Sequence, residues 1–565
     1  MANKKQYTPS EALAILNTMN DCDSDGGEEL TLIVEEDEDT DTDGHSAMSA
    51  DDEDGTLDKE NSSPPRKKHV VIQKDTAGGL CMKAKDGTVW EKEDVGRLPA
   101  SDPSACFSFS ETAGPTEHAK SRITSRLQSF LCLIDIGMLM TIRDCTVHEG
   151  CRTDPSWTLS LCELMAFISI LFTKATTSPV GAVVDAWSEL FLVPAIRNTM
   201  SRDRYQAIMR YLRFDNKDTR AERAKTDRFA AISDIWQRFI RNCISSYNPG
   251  QHLTVDEQLF PTKVCCPFLQ YIATKPDKFG IKFWIAADLQ TKYMCNASPY
   301  LGKDPSRPTG ERLSENVVTK LMEPYLDKGR TVTTDNFFTS LSLANRLLKR
   351  NTTLLGTINK KRRELPPQAK DVSRLKELST QVFRTGSVIL TVYAPKKKKS
   401  VCILSTFHRN VEIGMDRKEK PNTVTDYNCM KCGVDIMDQK VRAYTVRAGT
   451  RRWPVAVFYN ILDLAAMNAH ILYKACTGST EKRRVFMAHL AEELRRRFMQ
   501  EKEIEKEMKT QLRQASVPQL ATGKRTQCQV LRHCNRNHST ERCVQCDRYT
   551  CRKCRKEGPW VCDDC

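Results

Sequence analysis

The chain has 565 residues, 40% of them hydrophobic and 7% aromatic, which is enough for more than one buried core. Its formal charge is +14. Residues 1–60 carry a net charge of −16, so residues 61–565 carry +30. So basic a remainder predicts a polyanionic partner, most economically nucleic acid. The longest apolar stretch, residues 159–172, is too short to cross a bilayer, so we expect no membrane partner.

The N-terminal part of the chain is acidic, with runs of acid at residues 35–39 and 51–54. Such a segment buries too little apolar area to offset its ordering entropy, and we predict a disordered region over residues 1–119. The basic cluster at residues 64–68 is typical of a nuclear import signal, so we expect the protein in the nucleus. Fifteen cysteines scattered over residues 1–527 fit a reducing compartment, cytosol or nucleus.

Apolar residues at helical spacing begin near residue 121. Residues 122–143 and 159–173 follow this spacing, and Tyr205, Ile208 and Leu212 repeat it. These patterns predict the first part of a helical domain over residues 120–251.

The pattern then changes to strands that end near acids. Leu253 and Val255 lead into Asp256, and Val332 precedes Asp335. A helix over residues 341–348 and a strand over 354–358 complete an order that predicts a ribonuclease-H-like α/β core.

We place the segments of the chain as follows: the catalytic core at 252–361 and again at 422–444, an insertion at 362–421, the second part of the helical domain at 445–523, and a cysteine-rich domain at 524–565. Residues 453–473 and 481–514 are predicted as helices within this second part.

Four aspartates are the candidate catalytic residues: Asp256, Asp335, Asp435 and Asp438. Carboxylates that are held together repel one another, and a divalent cation between them relieves the repulsion. Two metal ions about 4 Å apart can activate the nucleophile and stabilise the leaving oxygen at a phosphodiester. Taken alone, an aspartate at a strand end is more often a turn or cap residue, so the local sequence has to select these four.

The last 38 residues hold eight cysteines in paired spacings that are typical of zinc ligands. Eight ligands make two tetrahedral sites, and a segment too small for its own core needs such cross-links. We favour a cross-brace with Cys528, Cys534, Cys551 and Cys554 at one zinc and Cys543, Cys546, Cys562 and Cys565 at the other. His533 remains an alternative to Cys534.

Several short sequence motifs, three of which contain these acids, follow one another along the chain. They are Thr254-Val-Asp-Glu-Gln-Leu259, Lys275-Pro-Asp-Lys-Phe-Gly-Ile-Lys282, Thr334-Asp-Asn-Phe-Phe-Thr-Ser340, Gly433-Val-Asp-Ile-Met-Asp438 and Arg452-Trp-Pro454. In this order they resemble the piggyBac family of DNA transposases and their host-domesticated derivatives, from about residue 120 to 520.

The resemblance implies a ribonuclease-H fold split by an insertion, and a homodimer that binds the terminal inverted repeats of a transposon and cuts at TTAA through hairpin ends. It implies that Asp256, Asp335 and Asp435 form a triad that binds Mg²⁺ or Mn²⁺, and that Asp438 is also needed. Trp453 matches a tryptophan near the transposon end, and we expect Arg451 and Arg452 to contact DNA with it. The alternative for Trp453 is a place in the core.

The chain departs from the family at Pro261–Phe268, where a glycine and at least one arginine of the usual motif are missing. Position 531 is leucine where the family has the second cysteine of a pair, so Cys534 or His533 substitutes. A domesticated, non-catalytic DNA-binding protein is therefore the first alternative. A ubiquitin ligase, the second, rests on the cross-brace alone and explains neither the acids nor the basic body.

Overall fold

The structure is a computed structural model that describes residues 73–74, 80–97, 107–177, 181–273, 275, 277–302, 310–371, 373, 375–515, 525–530, 534 and 536–555. The chain divides between Ala491 and Glu492 into two compact units, and each is described by itself.

Fifteen α-helices lie in the described residues. They are α1 (Glu117–Lys120), α2 (Arg126–Leu131), α3 (Ile136–Cys151), α4 (Leu161–Thr177), α5 (Pro194–Thr199), α6 (Arg202–Tyr211), α7 (Lys217–Arg223), α8 (Ser233–Ser246), α9 (Leu313–Met322), α10 (Leu341–Leu348), α11 (Pro367–Lys370), α12 (Asn422–Met430), α13 (Gly433–Ala443), α14 (Trp453–Thr477) and α15 (Arg483–Ala515).

Local sequence explains several of the helix ends. The side chain of Asp135 accepts a hydrogen bond from the N–H of Met138 (2.9 Å) and so begins α3 inside the stretch predicted as one helix. Ser340 caps α10 in the same way through Leu343 N–H (3.0 Å). Gly478 adopts the left-handed conformation, φ 71°, that ends α14.

The described strands are β1 (Gln73–Lys74), β2 (Leu80–Lys83), β3 (Val89–Glu93), β4 (Gly114–Pro115), β5 (Tyr247–Asn248), β6 (His252–Pro261), β7 (Gln270–Tyr271), β8 (Phe279–Asp288), β9 (Met294–Pro299), β10 (Thr331–Thr334), β11 (Thr353–Thr357), β12 (Thr380–Thr385), β13 (Val388–Lys396), β14 (Lys399–Ser405), β15 (Thr526–Gln527) and β16 (His538–Ser539).

The large sheet contains the ribonuclease-H arrangement. Strands β9, β8 and β6 pair antiparallel, and β6, β10 and β11 pair parallel, in the spatial order β9-β8-β6-β10-β11. In chain order these five strands lie 3-2-1-4-5. The predicted α/β core and its helical surroundings are therefore confirmed.

Residues 80–97 correct the prediction that the whole of 1–119 is disordered. Here β2 and β3 form a hairpin whose strand β3 pairs with β12. Trp90 is fully buried and its indole N–H donates to the carbonyl of Glu364 (2.8 Å), while Arg384 pairs with Glu93 (2.7 Å). The prediction rested on the average composition of residues 1–119, which is acidic. That average does not show a short segment that buries a residue of its own, Trp90.

The predicted insertion, residues 362–421, continues the same sheet. Its strands β12, β13 and β14 pair with each other, and β14 pairs antiparallel with β11 of the core. The insertion is thus joined to the core by main-chain hydrogen bonds, although the domain boundaries themselves remain predictions.

The 25-residue helix α14 is apolar and long enough to cross a membrane by length and composition, so residues 159–172 are not the longest such stretch. However, 89% of its apolar window is buried inside the fold. It forms the core of the first unit, as the central helix of a globular domain does.

Candidate active site and zinc cluster

The sequence predicted Asp256 at the end of a strand, but it lies within strand β6. The strand has the parallel neighbour β10 on one side and the antiparallel neighbour β8 on the other. The half-buried carboxylate accepts a hydrogen bond from the N–H of Glu257 (2.8 Å). Because the strand is paired on both sides, the backbone under this carboxylate is held firmly.

Asp335 follows β10 directly and stands beside Asp256. The register pairs Thr334 with Val255, so the next residues on these two parallel strands are the two aspartates. Neighbouring strands are about 4.8 Å apart, which puts the two Cα atoms near each other. Asp335 also starts a turn in which its Oδ1 accepts from Phe337 N–H (3.0 Å). This turn fixes the direction of its side chain.

Asp435 lies in the first turn of α13 and is exposed. The start of this helix packs on β6: the hydroxyl of Thr254 donates to the carbonyl of Met430 (2.9 Å), just before the helix. A Cβ built on Gly433 would lie 2.7 Å from Thr254 Cβ, closer than real Cβ atoms come. Glycine therefore lets α13 approach the strand two residues before Asp256 and brings Asp435 to the same place.

The three acids influence one another electrostatically. Burial raises the pKa of Asp256 well above its usual range, and the charges of Asp335, Glu257 and Asp435 raise it further. Burial also raises the pKa of Tyr427, whose hydroxyl contacts Thr357 (3.2 Å), and the same three aspartates add to the effect. Their negative charges thus converge on one region of the fold.

Two lysines approach the site, Lys275 from the connection between β7 and β8 and Lys282 from β8 itself. Lys275 and Lys282 each lie 3.5 Å from a carboxylate oxygen of Glu257, and Lys282 is buried with its ammonium 4.0 Å from the centre of the Trp284 ring. The charges of Glu257, Asp256 and Asp435 raise the pKa of Lys275 against the effect of burial. Lys275 is therefore a fixed positive charge beside the acids.

The donor set fits Mg²⁺ or Mn²⁺, which prefer carboxylate oxygens. Among the described residues, the cysteine cluster is the group in which three or more possible ligand atoms all lie within 4.8 Å of one another. The carboxylate oxygens of the three acids are therefore not all within this distance of one another. The pKa of Asp256 is raised first by burial and then by its acidic neighbours, and bound cations would relieve the repulsion from those neighbours.

Asp438 is one helical turn beyond Asp435 but has different partners. Its Oδ1 accepts from the side-chain amide of Gln258 (2.8 Å), and its Oδ2 pairs with Arg442 (2.8 Å). Gln258 in turn accepts from the amide of Asn460 (3.0 Å), and Arg442 also pairs with Asp277 (3.0 Å). Burial raises the pKa of Asp438, and Arg442 opposes this shift. The carboxylate joins α13 to β6 and α14.

The predicted DNA-binding residues differ in their surroundings. The ring of Trp453 is half-buried and stacks on Phe229, with ring centroids 5.5 Å apart. Arg452 donates to the carbonyls of Leu212 (2.7 Å) and Met209, and so closes the C-terminal end of α6. Arg451 is exposed. Trp453 thus has the core contacts of the alternative interpretation, and Arg451 is the side chain of the three that faces solvent.

Four cysteines converge in the second unit. The sulfurs of Cys528, Cys534, Cys551 and Cys554 all lie within 4.8 Å of one another, and Cys534 Sγ is 3.7 Å from Cys551 Sγ. Sulfurs bound to one tetrahedral zinc at 2.3 Å are about 3.8 Å apart. The set therefore fits the first predicted zinc site, with Cys534 in it.

Of the second predicted set, Cys543 is buried and Cys546 packs against the same cluster. Cys562, Cys565 and His533 lie outside the described residues.

Sequence reasoning did not identify Gln258, Lys275 and Tyr427 as parts of the site. The period of two along a strand places Gln258 on the face of Asp256, and this signal could have found it. Lys275 begins one of the sequence motifs, residues 275–282, but the sequence assigned it no role. No local pattern indicates Tyr427, which reaches the acids through the packing of α12.

A ribonuclease-H-like sheet with one acid on its first core strand, one directly after its fourth and one on a later helix defines the class of DDE-type nucleases and transposases. The family model described as Transposase IS4 matches residues 127–470, more than half of the chain, and the chain belongs to this family. Within it, two further similarities show that the chain belongs to the piggyBac family of transposases and their derivatives.

The human PiggyBac transposable element-derived protein 3 is 24% identical over an alignment 293 residues long, and the match covers 49% of this chain and 48% of that protein. The chain therefore spans about half the length of this curated relative. The cryo-EM structure of the piggyBac transposase synaptic complex with hairpin DNA superimposes with a TM-score of 0.69 at 30% identity, covering 80% of this chain and 100% of that one.

Proposed function

We propose that this protein is an active DNA transposase that excises and integrates a transposon at TTAA sites through hairpin ends. The observation that carries the proposal is the juxtaposition of Asp256 and Asp335 on paired parallel strands, with Asp435 brought to them by α13. Acids held this way on a basic protein suit phosphodiester cleavage better than any binding role.

Each residue has a role in this proposal. Asp256, Asp335 and Asp435 hold the divalent cations, which when bound activate water or a 3′-hydroxyl and stabilise the leaving oxygen. Asp438 positions α13 through Gln258 and Arg442, and so orients Asp435. Lys275 supplies positive charge next to the phosphate that is cut.

The partners follow from the same proposal. The substrate is double-stranded DNA, at the terminal inverted repeats and the TTAA target, and the protein acts in the nucleus as a homodimer. Arg451 contacts DNA beside Trp453 and Arg452, whose own side chains support the local fold. The cysteine-rich end of the chain binds two zinc ions, the first at Cys528, Cys534, Cys551 and Cys554.

Sequencing of excised junctions tests this function directly. A plasmid carrying the transposon ends that flank the gene is exposed to the protein with Mg²⁺, and the empty sites are sequenced. We expect a single TTAA without a footprint, and hairpin ends on a denaturing gel. Frequent insertions or deletions at the empty site would contradict the proposed strand chemistry.

One observation favours a second candidate, a domesticated DNA-binding protein without catalysis. The segment Pro261–Phe268 lacks the glycine and arginine that the family motif carries, and the human relative is a protein derived from a transposable element. Binding of the cognate ends with Mg²⁺ and no excision would favour this candidate.

A further inference from the structure

Before its last residue, Asp288, strand β8 carries a single charged side chain. This is Lys282, which is 1% exposed and whose neighbours along the strand are Ile281 and Phe283. Lysine is rarely buried unless its ammonium is paired, and an apolar side chain of similar volume would avoid the cost of desolvating the charge. The surroundings of the ammonium should therefore show what the charge does.

The ammonium of Lys282 lies between one carboxylate and a group of aromatic rings. It is 3.5 Å from Oε2 of Glu257. It is also 4.0 Å from the centre of the Trp284 ring, 5.5 Å from that of Tyr300 and 5.7 Å from that of Phe337. Aromatic rings attract a cation, and more strongly where water is excluded. One buried charge thus holds a carboxylate of β6 and three rings from separate segments together.

These contacts lie on the face of the sheet opposite to the catalytic carboxylates. The register of β6 and β8 pairs Glu257 with Trp284, and Lys282 is two residues from Trp284, so all three share one face. Asp256 alternates to the other face, where α13 packs on the strand. Lys282 therefore acts on the catalytic carboxylates only through the residues between them.

Phe337 connects the buried lysine to Asp335. The ring of Phe337 stacks on that of Trp284, with centroids 5.5 Å apart and planes 14° apart. Its N–H donates to Oδ1 of Asp335 (3.0 Å), and the N–H of Thr339 donates to the carbonyl of Asp335 (3.1 Å). A shift of the Phe337 ring therefore moves the turn that fixes the direction of the Asp335 carboxylate.

We propose that Lys282 is a positioning residue for the two catalytic aspartates of the sheet. It acts on Asp256 through the next residue, Glu257, and on Asp335 through Phe337. Contacts that hold metal-binding side chains in place typically contribute about 10-fold to 100-fold to metal affinity or activity. The effect on cleavage rests on the proposed function, whereas the contacts themselves can be tested without DNA or metal.

Hydrogen exchange of the DNA-free full chain, followed by mass spectrometry, tests the contacts. Exchange over residues 335–340 reports on the hydrogen bonds of the Asp335 turn. We expect Lys282→Met, which keeps a similar length without the charge, to speed exchange there about tenfold. Lys282→Arg keeps a cation and should restore slow exchange. The matched control is Lys174→Met, at another buried lysine (4% exposed) on α4, which should leave this segment unchanged.

Exchange in α14 separates a local effect from a general loss of stability. We expect residues 455–472 to exchange at the wild-type rate in Lys282→Met. Equal acceleration in α14 and in the Asp335 turn would mean that Lys282 only stabilises the fold, and this overturns the proposal.

A milder variant decides the question if Lys282→Met does not fold. Glu257→Gln removes the other charge of the pair at a partly exposed side chain and keeps its shape. We expect it to speed exchange over residues 335–340 as well, by a smaller factor than Lys282→Met. Wild-type exchange of this segment in Glu257→Gln and in any folded Lys282→Met overturns the proposal.

Cleavage of transposon-end DNA with Mg²⁺ is measured separately, at saturating DNA. We expect Lys282→Met to cleave about 10-fold to 100-fold more slowly than wild type with unchanged DNA affinity, and Lys282→Arg to recover much of the rate. A wild-type cleavage rate together with faster exchange of the turn overturns the positioning role. No cleavage by the wild-type protein, with the local exchange effect present, removes the proposed function and still supports the link between Lys282 and the Asp335 turn.

Discussion

The change Gly433→Ala tests whether close packing of α13 on β6 positions Asp435. A Cβ at this residue would lie 2.7 Å from Thr254 Cβ, and 3.4 Å is the lower end of ordinary contact. The helix start and the strand must therefore separate by about 0.7 Å or distort. The matched control is Gly449→Ala, because nothing lies within 4 Å of a Cβ built there.

Two opposing effects set the expected size. Alanine is about 1 kcal/mol better than glycine inside a helix, whereas forcing an extra carbon into a packed contact costs about 1–3 kcal/mol. We expect a net loss of up to about 2 kcal/mol in the free energy of unfolding. A 1 Å misplacement of catalytic groups costs about 10²-fold in rate, so we expect excision to fall about 10-fold to 100-fold.

The assay measures excision from a plasmid with the cognate ends, at matched protein concentration and at a temperature where the variants remain folded. DNA binding is measured in parallel and should stay within about twofold of wild type, because no DNA contact is removed. Wild-type excision by Gly433→Ala would refute the role assigned to this contact. A gain of about 1 kcal/mol in the free energy of unfolding, as expected where alanine replaces glycine in a helix without a close contact, would refute it as well.

Three further outcomes follow from single contacts. Burial raises the pKa of Asp463 to about 7 despite its hydrogen bonds. The stability that its neutral form contributes is therefore present at low pH and is lost as the pH rises from about 4 through 7. Asp463→Asn should flatten the pH dependence of the free energy of unfolding over that range, and an unchanged profile would contradict this. Cys534→Ser should remove one zinc per chain by elemental analysis and His533→Ala none, with the reverse result assigning His533 as the ligand. Asp438→Asn should lower excision and be rescued in part by Arg442→Gln, because the charge of Arg442 would then be balanced by Asp277 alone. Loss without any rescue would favour direct metal binding.

Sequence alone could predict the elements whose signal is local. The helix over residues 341–348 and the strands before Asp256 and Asp335 follow from periodicity, and the structure has them at those places. The spacing of Cys528, Cys534, Cys551 and Cys554 predicted a cluster that the structure brings together.

Features that depend on distant contacts could not be predicted. Arg452 closes α6 through carbonyls some 240 residues earlier, and nothing near Arg452 indicates this. The hairpin with Trp90 was hidden because its strand partner, β12, lies far along the chain. Asp438 was selected by its motif, but its partners Gln258 and Arg442 are visible only in the packed site.

The central claim is that three carboxylates hold the metal ions that cut DNA. It is tested by cleavage of labelled transposon-end DNA with Mg²⁺ by the wild-type protein and by Asp256→Asn, Asp335→Asn and Asp435→Asn, with binding to the same DNA measured on each. Asparagine keeps the shape of the side chain but loses the charge that holds the cations. We predict that all three variants bind the DNA and none cleaves it, whereas cleavage at the wild-type rate by any one of them would contradict the account.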